Sequence, residues 1–282
     1  MAMSSAFTAY SPAGIRAQLT PANQTLLRQL TLLQLVDSTS LALQRLPAQE
    51  QHGHAVVAEG QYAGRGRRGR SWYSPPGQNI YLSLGWNFQR DSATLTQLPL
   101  AIAVTVARAL RRAGVHSSGI KWPNDIQVEG SKLGGILVEL RNTAPEQALA
   151  VMGIGINVRM AADETCLPAM GQPWTDVCSH LIDPADAGLR NRLCGLLLDE
   201  LLQGVGQFAA QGFRPFAADW SQWDALRGLV VTVAGANETV SGIAAGISAS
   251  GGLLLDCQAP SGATQTREFF AGDVSVRPTD PL

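Results

Sequence analysis

Apolar and polar positions along the chain fall into runs with strand-like alternation and runs with helical spacing. In "LTLLQLVDSTS" residues 31–36 read as a strand, and Asp37, Ser38 and Thr39 are good N-cap residues for a helix over 40–46. "AVVAEGQYAG" predicts a second strand over 55–59, and "NIYLSLGWNF" alternates as a third. Over 97–114 apolar side chains occupy most of a helical circumference, with Pro99 in the first turn, so this helix should be buried. "GIKWPND" leaves a strand at Pro123, and "IQVEGSKLGGILVEL" predicts a hairpin with Glu129 and Gly130 at its tip. "ALAVMGIGINV" is an apolar strand with two glycines near its end, followed by a helix over 189–211 and a shorter helical piece over 213–223. From about residue 227 the texture changes to "LVVTVAG", "TVSGIAAGIS", "GLLLDCQ" and "TREFFAGDVSV", β-rich runs separated by Gly and Asn. These predict a loosely attached extension over 1–28, a large α/β unit over 29–226 and a small β barrel or meander over 227–282.

With 282 residues, 45 % apolar and 15 % charged, the chain can bury an ordinary globular core, so disorder is not expected. The formal net charge of −1 lacks the basic surplus of a general nucleic-acid binder, so any electrostatic role must be local. The cysteines, Cys166, Cys178, Cys194 and Cys257, form no C-x-x-C pair, which argues against a zinc ribbon or redox dithiol and suits a reducing cytoplasm. His52 and His54 are clustered, but no Cys, Asp or third His nearby completes a metal set. The N-terminus lacks a signal-peptide core, and the longest strongly apolar stretch, 98–106, is far short of the ~20 residues a membrane helix needs. A soluble cytoplasmic protein is expected.

Charge is concentrated in "GRGRRGR", residues 64–70, with four arginines and three glycines. Glycines let a backbone approach a ligand, and guanidinium forks match carboxylate and phosphate oxygens. A solvated loop and a nucleic-acid patch are competing readings. The strand-like flanks favour a small-anion loop held between core elements. "KWPND", residues 121–125, is at least a Pro-Asn-Asp turn. It also offers Lys121 to a phosphate, Asn124 to a polar ligand group and Asp125 to a magnesium ion. Lys132 ahead of a Gly-Gly pair is either an exposed hairpin lysine or a ligand contact. "GIGIN" suggests a strand passing close to something flat or bulky, or simply close strand–helix packing, with Asn157 offering an amide. "DSTS" needs no function beyond capping.

Taken together, "VDSTS" (36–40), "AEGQYAGRGRRGRSWYSPPGQNIYLS" (58–83), "KWPND", "KLGGILVE" (132–139) and "GIGIN" (153–157) resemble the motifs of biotin protein ligases, in the family's order, over about residues 30–279. The resemblance implies a mixed sheet with flanking helices, like the catalytic domain of class II aminoacyl-tRNA synthetases, and an SH3-like C-terminal barrel. It implies that biotin attacks ATP to give biotinyl-5′-AMP, which then acylates a lysine of the biotin carboxyl carrier protein of acetyl-CoA carboxylase, with Mg²⁺ assisting. By matching positions, Ser38, Thr39, Ser40 and Gln61 should line the ureido pocket; Gly64, Arg65, Gly66 and Arg67 should close over it; and Trp72, Lys132 and Gly135 should also contact biotin. Arg67, Arg70 and Lys132 are the expected catalytic groups. Arg67, Arg68, Arg70, Lys121, Asn124, Asp125, Lys132 and Asn157 are expected on the ATP side, with Asp125 toward the metal. Ser40 stands where many members carry Asn. Some members carry an N-terminal helix-turn-helix and repress biotin genes. Here about 30 residues precede the first catalytic strand, so ligase activity without specific operator binding is expected. A homodimer through sheet edges is compatible with the resemblance. The alternatives are a lipoate or octanoyl transferase of the same fold, a DNA-binding regulator and an inactive biotin sink.

Overall fold

The computed structural model describes residues 7–90, 92–160, 173–234, 238–258, 263–270 and 275–278. Cys166, residues 1–6 of the N-terminal segment and parts of the last β runs lie outside them. Strands β1 (Gln29–Val36), β2 (His54–Gln61), β3 (Ile80–Phe88), β4 (Gly119–Lys121), β5 (Asp125–Val128), β6 (Ser131–Ala144) and β7 (Gln147–Ile156) build one sheet in the order β1-β2-β3-β7-β6-β5-β4. β1 and β2 run parallel and the other neighbours antiparallel, so the sheet is mixed. A second, antiparallel sheet contains β8 (Val230–Ala234), β9 (Thr239–Ile247), β10 (Leu253–Gln258), β11 (Thr264–Phe269) and β12 (Ser275–Pro278), in the order β11-β10-β9-β8-β12. Among the described residues no helix is long and apolar enough to cross a membrane.

Strand alternation decides the layers. Ile80, Leu82, Leu84, Trp86 and Phe88 on β3, with Met152, Ile154 and Ile156 on β7, enter the main core. Helix α5 (Leu98–Arg112) and helix α6 (Leu189–Gln211) cover that face. The opposite positions are smaller and more polar. Val56 and Val151 meet Leu43 of helix α3 (Thr39–Gln44) in a minor cluster. Ser83, Gly153 and Gly155 share this second face, which leaves it thinly covered. His52 packs against Trp86 with its ring tilted and accepts from the Asn87 N–H, and His54 bonds Thr31, so both histidines serve packing.

The expectation of a loose N-terminus fails for residues 7–28. Helices α1 (Pro12–Arg16) and α2 (Pro21–Leu26), followed by Ala48–Gln51 (α4) further along, are too short for a periodic signal. Ile15, Leu19 and Leu27 nevertheless insert into the core. Thr20 N and Asn23 Nδ2 donate to Asp199 Oδ1 on α6 at 2.8 and 2.7 Å, and Arg112 Nη1 reaches Asp199 Oδ2 at 2.9 Å. Burial alone would raise the Asp199 pKa, but Asn23, Thr20 and Arg112 hold it below the ordinary carboxylate value. A depressed folded-state pKa adds stability above the unfolded value of about 3.9 and loses it as pH falls through the folded one. Urea denaturation of Asp199→Ala should therefore show a loss of about 2 kcal/mol at neutral pH that narrows below about pH 4. An unchanged midpoint at neutral pH would remove this anchor.

Candidate functional site

The thinly covered face of the sheet becomes a site because three chain reversals converge on it. At the first, β1 ends and α3 begins. Asp37 Oδ1 accepts the Ser38 N–H at 2.8 Å and Asp37 pairs with Arg45, which fixes the turn. Ser38, Thr39 and Ser40 are consequently buried. Gln61 Oε1 accepts the Thr39 N–H at 2.9 Å, and its amide nitrogen donates to Ser74 Oγ at 3.0 Å. Ser83 Oγ lies 2.8 Å from Thr39 Oγ1 and 3.0 Å from Ser40 Oγ, so three buried hydroxyls and an amide form one polar patch. A Cβ on Gly153 would sit 2.7 Å from Ser40 Oγ, which explains why glycine occupies that register position.

The second reversal is the arginine stretch. It is a compact hairpin. Gly66 N donates to Arg70 O, Trp72 N to Gly64 O and Arg70 N to Arg67 O. The two central residues, Arg68 and Gly69, both have positive φ (56° and 71°), as a type I′ turn requires. The hairpin folds against the sheet through two arginines. Arg65 Nη2 pairs with Glu139 Oε1 at 2.9 Å, and Arg67 Nη1 donates to Asn124 Oδ1 at 3.0 Å. Burial lowers the Arg67 pKa, Arg68 and Arg70 push the same way, and Asp125 opposes them. Such a guanidinium gains most from an arriving anion. Arg68 and Arg70 are exposed at and beside the hairpin tip.

Trp72 follows the hairpin and answers the question raised by "GIGIN". Its indole lies on the paired glycines of β6 and β7: a Cβ at Gly155 would approach Trp72 Cε2 to 2.5 Å, and one at Gly135 would approach Cζ3 to 3.0 Å. The flat object beside those glycines is the chain's own tryptophan. Its buried Nε1 has no hydrogen-bond partner among the described residues.

The third reversal is "KWPND", between β4 and β5. Asn124 donates to Ile136 O at 2.7 Å while accepting from Arg67, so its amide joins hairpin to sheet. Asp125 Oδ1 holds Lys132 Nζ at 2.7 Å, and that ammonium lies 5.3 Å from the Trp72 ring centre. Lys121 is half-buried on β4, paired in register with Asp125. Asn157 is buried and donates to Thr175 O at 3.1 Å and to Lys132 O at 3.4 Å, so its amide nitrogen braces the following segment. Trp122 turns away into the core and bonds Gly251 O at 3.1 Å.

The structure thus gathers Ser38, Thr39, Ser40, Gln61, Gly64, Gly66, Trp72, Gly135, Arg67, Asn124, Asp125 and Lys132 on one face. Arg65 is given to Glu139, and the Arg70 side chain makes no ion pair among the described residues. Sequence reasoning missed Ser83, Ser74 and Glu139. Ser83 carried a usable signal, as a polar residue in the apolar run "IYLSLGW". Glu139 carried none, because only the β6 register brings it beneath Arg65. Among the described residues no group of three or more His, Cys, Asp and Glu is placed to hold a metal ion.

Comparison with known proteins agrees with this geometry. Residues 32–157 match the model of the biotin/lipoate A/B protein ligase family, and residues 230–277 match that of the biotin protein ligase C terminal domain. The bifunctional ligase/repressor BirA of Escherichia coli is 34 % identical over 249 residues, which span 87 % of this chain and 73 % of that protein. The biotin–[acetyl-CoA-carboxylase] ligase of Paracoccus denitrificans is 30 % identical over 86 % of this chain and 100 % of its own length. The structure of biotin protein ligase from Aquifex aeolicus in complex with biotin and ATP superposes with a TM-score of 0.72 at 28 % identity, covering 89 % of this chain and 100 % of that one.

Proposed function

The chain belongs to the biotin/lipoate A/B protein ligase family and is a biotin ligase, and from that premise we propose how its residues carry out ligation and on what acceptor. Biotin enters with its ureido ring against Ser38, Thr39, Ser40 and Gln61, whose groups supply both donors and acceptors. Its carboxylate then lies toward Lys132 and Arg67. A carboxylate oxygen attacks the α-phosphorus of ATP, the bond to the bridging oxygen breaks, and pyrophosphate leaves. The carboxylate and triphosphate repel each other, and two fixed cations offset that repulsion as charge builds on phosphorus. The observation that supports this reading is the placement of Lys132 and Arg67 by Asp125 and Asn124 beside the hydroxyl patch. Trp72 supplies an apolar wall.

Magnesium would enter as part of the ATP substrate. The nearby carboxylate, Asp125, is already engaged by Lys132, so a protein-held ion does not suit the residues present. In the second half-reaction a carrier lysine amine attacks the acyl carbon, loses a proton and expels AMP. The acceptor we propose is a biotin carboxyl carrier protein. Incubation with biotin, MgATP and such a carrier domain should add one biotinyl mass to its lysine. No mass gain, where a known ligase modifies the same domain, would reject the acceptor assignment. We infer ligase activity without specific operator binding, because Arg65 and Arg67 are engaged by Glu139 and Asn124.

Ser83 acts as a positioning residue in this reading, since it touches both pocket hydroxyls. Ser83→Ala should raise the KM for biotin about fivefold with kcat nearly unchanged, and Ser83→Thr should restore part of it. An unchanged KM would remove Ser83 from the pocket.

A further inference from the structure

A second cleft, away from the reactive cluster, has a volume of about 460 Å³ and opens where helix α7 (Ala217–Trp223) and the start of α5 meet β9. That volume lies in the range of small-molecule sites. Its polar lining is rich in donors: Arg214, Arg227 and Ser221 line it with Gln97, whose amide donates to Ala249 O, and among the described residues no carboxylate does. Arg227 Nη1 donates to Ser221 Oγ at 3.2 Å, and neither arginine is in an ion pair among the described residues. The neighbouring acids are committed elsewhere: Asp219 pairs with Arg108 at 2.7 Å, and Glu268 accepts from Ser248 and Ser250. Asp224 feels the charge of Arg227 without lining the cleft.

Trp220 forms part of the wall and is 1 % exposed. Phe213 and Ile247 add apolar surface on either side.

We propose that this cleft binds a small organic anion with an apolar body, an aliphatic or aromatic carboxylate. Its acid group faces Arg214 and Arg227, and its body lies against Phe213 and Ile247. The occupant touches helix α7 on one side and β9 of the second sheet on the other, so its binding strengthens their association by mass action.

The test titrates 8-anilinonaphthalene-1-sulfonate, an amphipathic anion, into the full chain held at saturating biotin. Fluorescence should rise to saturation. Hexanoate should displace the probe, and hexylammonium, with the same apolar body and opposite charge, should not. Arg214→Gln and Arg227→Gln should each weaken binding about tenfold. Both should leave biotin-dependent pyrophosphate release unchanged. Arg214 and Arg227 are both exposed, so neither substitution removes a core contact. No probe binding in the presence of biotin would overturn the proposal. So would equal binding by Arg227→Gln and the parent chain, or equal displacement by the two hexyl compounds.

Discussion

Replacing Lys132 with methionine should slow biotin adenylation about 10²–10³-fold, the usual effect of deleting one donor from a preorganised charge-stabilising site. The backbone around Lys132 is held independently of its side chain, since Lys132 N donates to Pro173 O and Lys132 O accepts from Thr175 N. Methionine keeps the length of the side chain and its contact with Trp72, so the fold should survive. What is lost is the ammonium 2.7 Å from Asp125. Its removal does two things. It takes away the cation that draws carboxylate and phosphate together, and it leaves the Asp125 carboxylate unpaired beside two incoming anions. The double variant Lys132→Met/Asp125→Asn should therefore recover part of the lost rate. Pyrophosphate release measures both. A single-variant rate within about threefold of the parent would mean that Lys132 does not touch the reacting groups.

Gly155→Ala should be nearly as damaging, through packing and not through charge. A methyl there would lie 2.5 Å from Trp72 Cε2 and 2.6 Å from Nε1, closer than any relaxed contact, and an indole cannot bend out of the way. The ring must lift from the sheet. Trp72 N is tied to Gly64 O, Trp72 O accepts from Ser74 Oγ, and Ser74 Oγ accepts from Gln61. The displacement therefore reaches the arginine hairpin and the amide that orients Thr39. Overpacking of this kind costs about 1–3 kcal/mol of stability, and the KM for biotin should rise about tenfold or more. Gly206→Ala is the control. Nothing lies within 4 Å of a Cβ at that helical position, so it should be neutral or slightly stabilising. Equal, small effects of the two substitutions would refute the Trp72–Gly155 contact.

Elements whose core face is continuous were legible from residue pattern alone. The helix expected over 189–211 is α6, and the hairpin tip at Glu129 and Gly130 has the two positive φ values (49° and 78°) that such turns use. α1 and α2 were not legible. Their few apolar anchors, Ile15, Leu19 and Leu27, are too sparse to make a period, and their partner Asp199 is distant in sequence. Local motifs marked the candidate site residues, while pairing between motifs was invisible. Nothing local says that Asn124 receives Arg67, that Asp125 receives Lys132, or that Trp72 covers Gly155. Those facts depend on the sheet order β3-β7-β6-β5, which places the hairpin after β2 opposite the turn before β5. The same ordering explains why the stretch expected to be an anion-binding loop is a hairpin tied to the sheet: Glu139 on β6 lies beneath Arg65.

The decisive measurement mixes the enzyme with biotin and MgATP, omits any acceptor, and quantifies the biotinyl-5′-AMP that stays with the protein after rapid gel filtration. The parent chain should retain close to one equivalent and release matching pyrophosphate, and Lys132→Met should retain almost none on the same time scale. A parent chain that forms no adenylate, or a Lys132→Met variant that forms it as fast, would contradict the assignment of this cluster as the place where biotin is activated.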